Sequence, residues 1–182
     1  MKTLHLVLLL TVSTLLISCS DNLSRSKARK AILDSGLKDM QEISISFKRN
    51  YYNGSVEYER GLWSGNKQLL CDNTSKIFDQ LYKSGLVIDN DGKRKNNSWG
   101  EKVQSYVRTD VAGFWYFIPI AKAIDVEISG IEGADTDKYR RVECIVICEW
   151  NDVGKMAGLD FVLKIPRKFD FKKYDDGWRL DQ

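Results

Sequence analysis

The chain has 182 residues, with 28 Lys and Arg against 25 Asp and Glu and a formal charge of +3. That length can bury a real core, and so even a balance excludes the basic footprint of a nucleic-acid binder. One histidine, His5, and four cysteines, Cys19, Cys71, Cys144 and Cys148, narrow the nucleophilic and metal chemistry further.

The N-terminus carries Lys2 and then the uncharged run "LHLVLLLTVSTLLIS". An apolar stretch of roughly 12–14 residues is short for a bilayer span and has the shape of an exported leader. It ends Leu16-Ile17-Ser18-Cys19, which resembles the lipobox of bacterial lipoprotein signal peptides at all four positions. The resemblance implies cleavage before Cys19, a diacylglycerol thioether on its sulfur and acylation of the new amine. Buried methylenes at about 0.8 kcal/mol each make such an anchor stable. Ser20 stands where an aspartate would resemble an inner-membrane retention signal, so the resemblance implies the periplasmic face of an outer membrane. The expected organisation is a signal peptide (1–18), a lipidated cysteine and tether (19–27) and a single globular domain (28–182). The mature chain of 164 residues then holds 27 basic and 25 acidic side chains and no histidine. Ser-His-Asp and Cys-His sites and histidine-ligated zinc are excluded. No cofactor or metal is expected.

In chain order, Leu33, Leu37 and Met40 share one face of a helix predicted over Ser26–Met40. "ISISF" (Ile43–Phe47) alternates as a strand, and "SVEYE" (Ser55–Glu59) follows the turn signal Asn53-Gly54. Asp72-Asn73-Thr74 opens a helix running to Ser84, with Ile77, Phe78, Leu81 and Tyr82 inward and Gly85 as its stop. "LVI" (Leu86–Ile88) is a short strand, "DNDGKRKNN" a polar turn and Ser105–Arg108 the returning strand. "AIDVEISGI", "YRRVECIVICEW" and "LDFVLKI" are strands, and a last one surrounds Trp178 and Leu180. Pro119 and Pro166 are expected at strand ends. Strands that follow strands predict an α+β fold, N-terminal helices followed by an antiparallel meander, in a single domain.

"IFDQLYKSGLVIDND" with "YVRTDVAGFWY" resembles the helix and wing of winged-helix domains, through Leu81, Gly85, Leu86 and Val87 and then Tyr106, Thr109 and Gly113. Outside the cytoplasm this implies a scaffold, and no nucleic-acid contact is carried over. "FDFKKYDDGWRLDQ" resembles the last strand of small exported cystatin-like or nuclear-transport-factor-2-like lipoproteins.

Cys144 and Cys148 lie on one strand about 13 Å apart, too far for a disulfide. In an oxidising compartment Cys71 is the candidate partner of Cys144 or Cys148, the alternative being three buried thiols. Asp175 and Asp176 are adjacent and point apart, so they read as a turn. The Asp89–Asn97 loop lacks the ligand spacing of a calcium loop. The acidic loop of Glu132, Asp135 and Asp137 reads as a solvated hairpin. Lys93-Arg94-Lys95 and the Lys164–Lys173 cluster read as a solvated loop and strand edge, the alternative being contact with anionic headgroups, lipopolysaccharide or peptidoglycan. Trp63, Trp99, Trp115 and Tyr116 are the candidate binding surface. The expectation is a non-enzymatic binding or structural module, held to the membrane by lipid, with an envelope protein or polymer as partner. The alternatives are a small carboxylate enzyme acting on envelope polymers through Glu57, Glu59 or Asp160, and an inhibitor or immunity-type lipoprotein.

Overall fold

The computed structural model describes residues 22–52, 55–64, 67–89, 97–109, 115–134 and 137–181. Cys19 and the leader lie outside the described residues, as do the Asn53-Gly54 turn and most of the Asp89–Asn97 loop. The described residues already include part of the expected tether. Leu23 is buried, and Ser24 caps helix α1 (Arg25–Ala31) by accepting from the Lys27 N–H at 3.2 Å. The predicted single helix to Met40 breaks into three pieces: α1, a π-helical turn (Ile32–Gly36) and a 3-10 turn (Lys38–Met40). The Ser35 hydroxyl donates back to the Ala31 carbonyl at 2.9 Å. Gly36 lies so close to the sheet that a Cβ there would stand 3.1 Å from the Phe169 ring. The wide turn still delivers Ile32, Leu37 and Met40 to the core.

Strands β1 (Ile43–Tyr52) and β2 (Ser55–Ser64) form a hairpin in which Tyr52 faces Ser55. Strand β3 (Lys67–Leu69), not foreseen from sequence, extends the sheet beyond β2. Helix α2 (Thr74–Lys83) buries Ile77, Phe78 and Leu81, as its apolar spacing predicts. Gly85, at φ 70°, supplies the left-handed stop. Strand β4 (Val87–Asp89) pairs with β5 (Asn97–Trp99) in a separate two-stranded sheet. The predicted return strand at Ser105–Arg108 starts inside a 3-10 turn (Glu101–Tyr106), which buries Val103, and only its last residue, Arg108, enters a strand. The chain turns back earlier, at Gly100, whose N–H donates to the Leu86 carbonyl at 3.1 Å.

The large sheet is completed by β6 (Arg108–Thr109), β7 (Trp115–Glu132), β8 (Tyr139–Trp150), β9 (Leu163–Tyr174) and β10 (Gly177–Leu180), in the order β10-β9-β8-β7-β1-β2-β3, with β6 on β7. Every pairing in it is antiparallel. The fold is α+β. Strand β7 organises it. Its first half pairs with β1 and its second half with β8. Both prolines lie within strands, not at their ends. Pro119 sits where the β1–β7 register shifts, a place where a missing N–H is tolerated, and Pro166 lies on the part of β9 that β10 does not reach. Beyond the reach of β1, the exposed edge of β7 is covered by α1. Arg29 Nε donates to the Val126 carbonyl and Arg25 to the Ser129 carbonyl, each at 3.2 Å. Helix α3 (Asp152–Met156), between β8 and β9, presses Gly154 against β7; a Cβ there would stand 2.7 Å from the Ile120 carbonyl. One continuous core joins the helices to the sheet.

Candidate functional site

Strand alternation gives the β1–β2–β7 region two unlike faces. Inward, Ile43, Ile45 and Phe47 of β1 meet Leu62 of β2 and Ile118 and Ile120 of β7, all fully buried. Helix α2 covers them, with Phe78 set edge-on to Phe47 at a centroid distance of 5.3 Å. Outward, the same strands present Ser44 and Ser46, Gly61 and Trp63, and Trp115 and Phe117. The register brings Ser46 between Gly61 and Phe117, and Ser44 beside Trp63.

Aromatic rings lie across this small-residue floor. Trp63 packs edge-on to Trp115 at 5.0 Å, and Trp115 stacks on Phe117 at 6.1 Å. The serines beneath are buried, and the Ser46 hydroxyl donates to the Gly61 carbonyl at 3.5 Å. A Cβ on Gly61 would stand 2.9 Å from the Trp63 indole nitrogen, so the missing side chain is what lets the ring lie flat. All three rings remain partly exposed.

A groove of about 550 Å³ runs beside the rings, walled by Trp63 and Phe117. Its polar side comes from the 3-10 turn, the start of β1 and β6: Lys38, Asp39, Gln41, Glu42, Ser44, Arg108 and Thr109. Arg108 donates to Glu42 at 2.7 Å, and the Ser44 hydroxyl donates to the same carboxylate at 3.4 Å. Asp39 is bridged by Arg167 at 3.4 Å, and its carbonyl accepts from the Ser64 hydroxyl. The groove therefore offers flat apolar rings on one side and a row of charged donors and acceptors on the other.

Of the four aromatic residues expected to form a surface, Trp63 and Trp115 come together. Tyr116 points to the opposite face and packs against the core, because it alternates with its neighbours on β7. Trp99 lies on β5, in the other sheet, and its side chain is outside the described residues. Sequence reasoning missed Phe117, the serine floor, Gly61 and the Glu42–Arg108 pair. A signal was present for the floor alone: the serines of "ISISF" alternate with its apolar residues.

The carboxylate candidates are not gathered. The side chains of Glu57 and Glu59 lie outside the described residues, Asp160 is exposed, and Asp175 and Asp176 stand in the β9–β10 turn. Among the described residues, no group of three His, Cys, Asp or Glu side chains could hold a metal ion. Cys71, Cys144 and Cys148 are free thiols. Burial raises the Cys144 thiol to a pKa of about 11 and the Cys148 thiol to about 12, and raises the half-buried Cys71 as well. No family model, curated protein or solved structure matches this chain.

Proposed function

We propose that this protein is a lipid-anchored module of the cell envelope, fixed by acyl chains on Cys19, which binds the glycan strands of an envelope polymer through the Trp63–Phe117 groove. The lipobox supports the anchor and its address at the outer membrane. The observation that carries the binding reading is the partly exposed ring cluster Trp63–Trp115–Phe117, on the face of the sheet turned away from Phe47 and α2. A pyranose presents a flat C–H face that packs on aromatic rings, and its vicinal hydroxyls match planar carboxylate and guanidinium groups. Glu42 and Arg108 stand beside the rings in that arrangement.

A non-enzymatic role fits the groove chemistry. Both of its carboxylates already hold a guanidinium, Asp39 with Arg167 and Glu42 with Arg108. The competing reading, a carboxylate enzyme, has its own observation, since Asp39 and Glu42 line one groove. Co-sedimentation with purified peptidoglycan sacculi tests both. The expected result is retention of the wild type, a roughly tenfold weaker retention of Trp63→Ala, and no release of reducing ends. Equal retention of the variant would overturn the groove, and released reducing ends would favour the enzyme.

A further inference from the structure

We infer that the end of the molecule built from Tyr139, Lys172 and Tyr174, beside the start of α1, is a membrane-docking face for the anionic phospholipids of the bilayer that holds the anchor. The inference rests on the lipid-anchor reading, and the length of chain involved carries it. Only Ser20, Asp21 and Asn22 separate Cys19 from the buried Leu23. At about 3.3–3.6 Å per residue, a lipid-bearing Cys19 stands no more than roughly 14 Å from Leu23. So short a link holds the domain against the headgroups and fixes which end faces them.

That end is composed as an interfacial surface. Leu23 shares a cleft with Lys27, Lys30 and Trp178. The guanidinium of Arg140 lies 5.7 Å from the Trp178 ring, which leads to the adjoining tip of β8. There Tyr139 is 55% and Tyr174 42% exposed. The Lys172 ammonium lies between them, 5.4 and 5.6 Å from their ring centres. Arg179, the strand partner of Lys172, lies 5.2 Å from the Tyr174 ring and also bridges Asp176, one of the acids of the turn. Exposed tyrosines among lysines and arginines are the side chains that settle at a bilayer interface, with rings at headgroup depth and cations on phosphates. Exposed Arg25, Lys27 and Lys138 add charge around them.

The test uses the full processed chain, reconstituted in vesicles of phosphatidylethanolamine and phosphatidylglycerol or of phosphatidylcholine alone. Amine-reactive footprinting is read lysine by lysine by mass spectrometry. Modification of Lys27, Lys138 and Lys172 is expected to be roughly fivefold slower in the anionic vesicles, with Lys155 on α3 unchanged. The double change Lys138→Glu with Lys172→Glu is expected to remove the protection of Lys27. Equal rates in the two lipids, or protection of Lys155 instead, would overturn the docking face. The mass of the N-terminal peptide reports acylation separately. An acylated chain without protection rejects the face alone, and a protected chain without acyl groups rejects the anchor alone.

Discussion

The outer side of the sheet is finished in two ways. Across β8 and β9, Arg141 faces Asp170 and Glu143 faces Lys168, with contacts of 2.8 and 2.5 Å. Each pair shifts its members in the usual sense: Lys168 and Arg141 hold Glu143 and Asp170 below the ordinary carboxylate range, and the cations are raised in return. This is a surface made for water. Across β1, β2 and β7 the same outward positions carry rings over serine and glycine, with the Arg108–Glu42 pair along the rim. A sheet that finishes one outer face with charge has no folding need to finish the other with tryptophan. The contrast points to an occupant on the aromatic side.

The largest expected effect tests whether the outer rings are simply a second core. Phe47→Ala opens a cavity under α2 and should cost about 3–5 kcal/mol in denaturant unfolding. Trp63→Ala should cost about 1–2 kcal/mol, since its ring is only partly removed from water, while glycan retention weakens roughly tenfold. If both variants lose the same stability, the outer cluster is core and the contrast disappears.

A smaller change acts on ring placement alone. Gly61→Ala puts a methyl against the Trp63 indole, a side chain that can swing away, and not against backbone. Stability should fall by less than about 1 kcal/mol, with retention on sacculi several-fold weaker and the tryptophan emission shifted. Unchanged retention would mean that the flat ring is not what the ligand meets.

The covered face can be read through its thiols. Cys144 and Cys148 point inward, and their raised pKa leaves almost no thiolate at pH 8. A thiol-reactive disulfide should modify Cys71 in the native protein and the other two only in denaturant. The sequence left the partner of Cys71 open. Its sulfur lies 4.0 Å from the Lys164 carbonyl, next to Leu163, the strand partner of Cys148, whereas Cys144 pairs with Arg167. Prolonged oxidation at alkaline pH, where the buried thiols begin to ionise, should therefore link Cys71 to Cys148. Peptide mapping that finds Cys71 bound to Cys144 would reverse that choice.

What was legible in the sequence follows the same division. Helix α2, the strand character of β8 and of the second half of β7, and the antiparallel α+β class could be read because one buried face imposes one period, whereas β9 was expected over Leu159–Ile165 and instead runs from Leu163 through Pro166 to Tyr174. The break in the first helix could not, because it depends on Gly36 meeting Phe169, a residue far away in sequence. The extent of β7 was hidden because Trp115–Ile120 is apolar on both faces, so no alternation marks it. Tyr116 and Trp115 looked equivalent for that reason, and only the register with β1 sends them to opposite sides. The groove needed β6, β1 and the 3-10 turn brought together, which no local pattern encodes.

The smallest effect belongs to the charged side. Asp170→Asn removes one partner of an exposed pair, and water and salt screen what such a pair contributes. The denaturation midpoint at neutral pH should barely move, and retention on sacculi should not change. The sign with pH is nonetheless fixed. Arg141 lowers the Asp170 pKa in the folded state, so the stabilisation is present above the ordinary carboxylate range and is lost as the pH falls through the lowered value. The small gap between wild type and Asp170→Asn should thus close on acidification. A gap that stays constant to pH 2, or a loss of retention in this variant, would show that the charged side is not merely a solvated finish, and that the two halves of the outer face differ less than their side chains suggest.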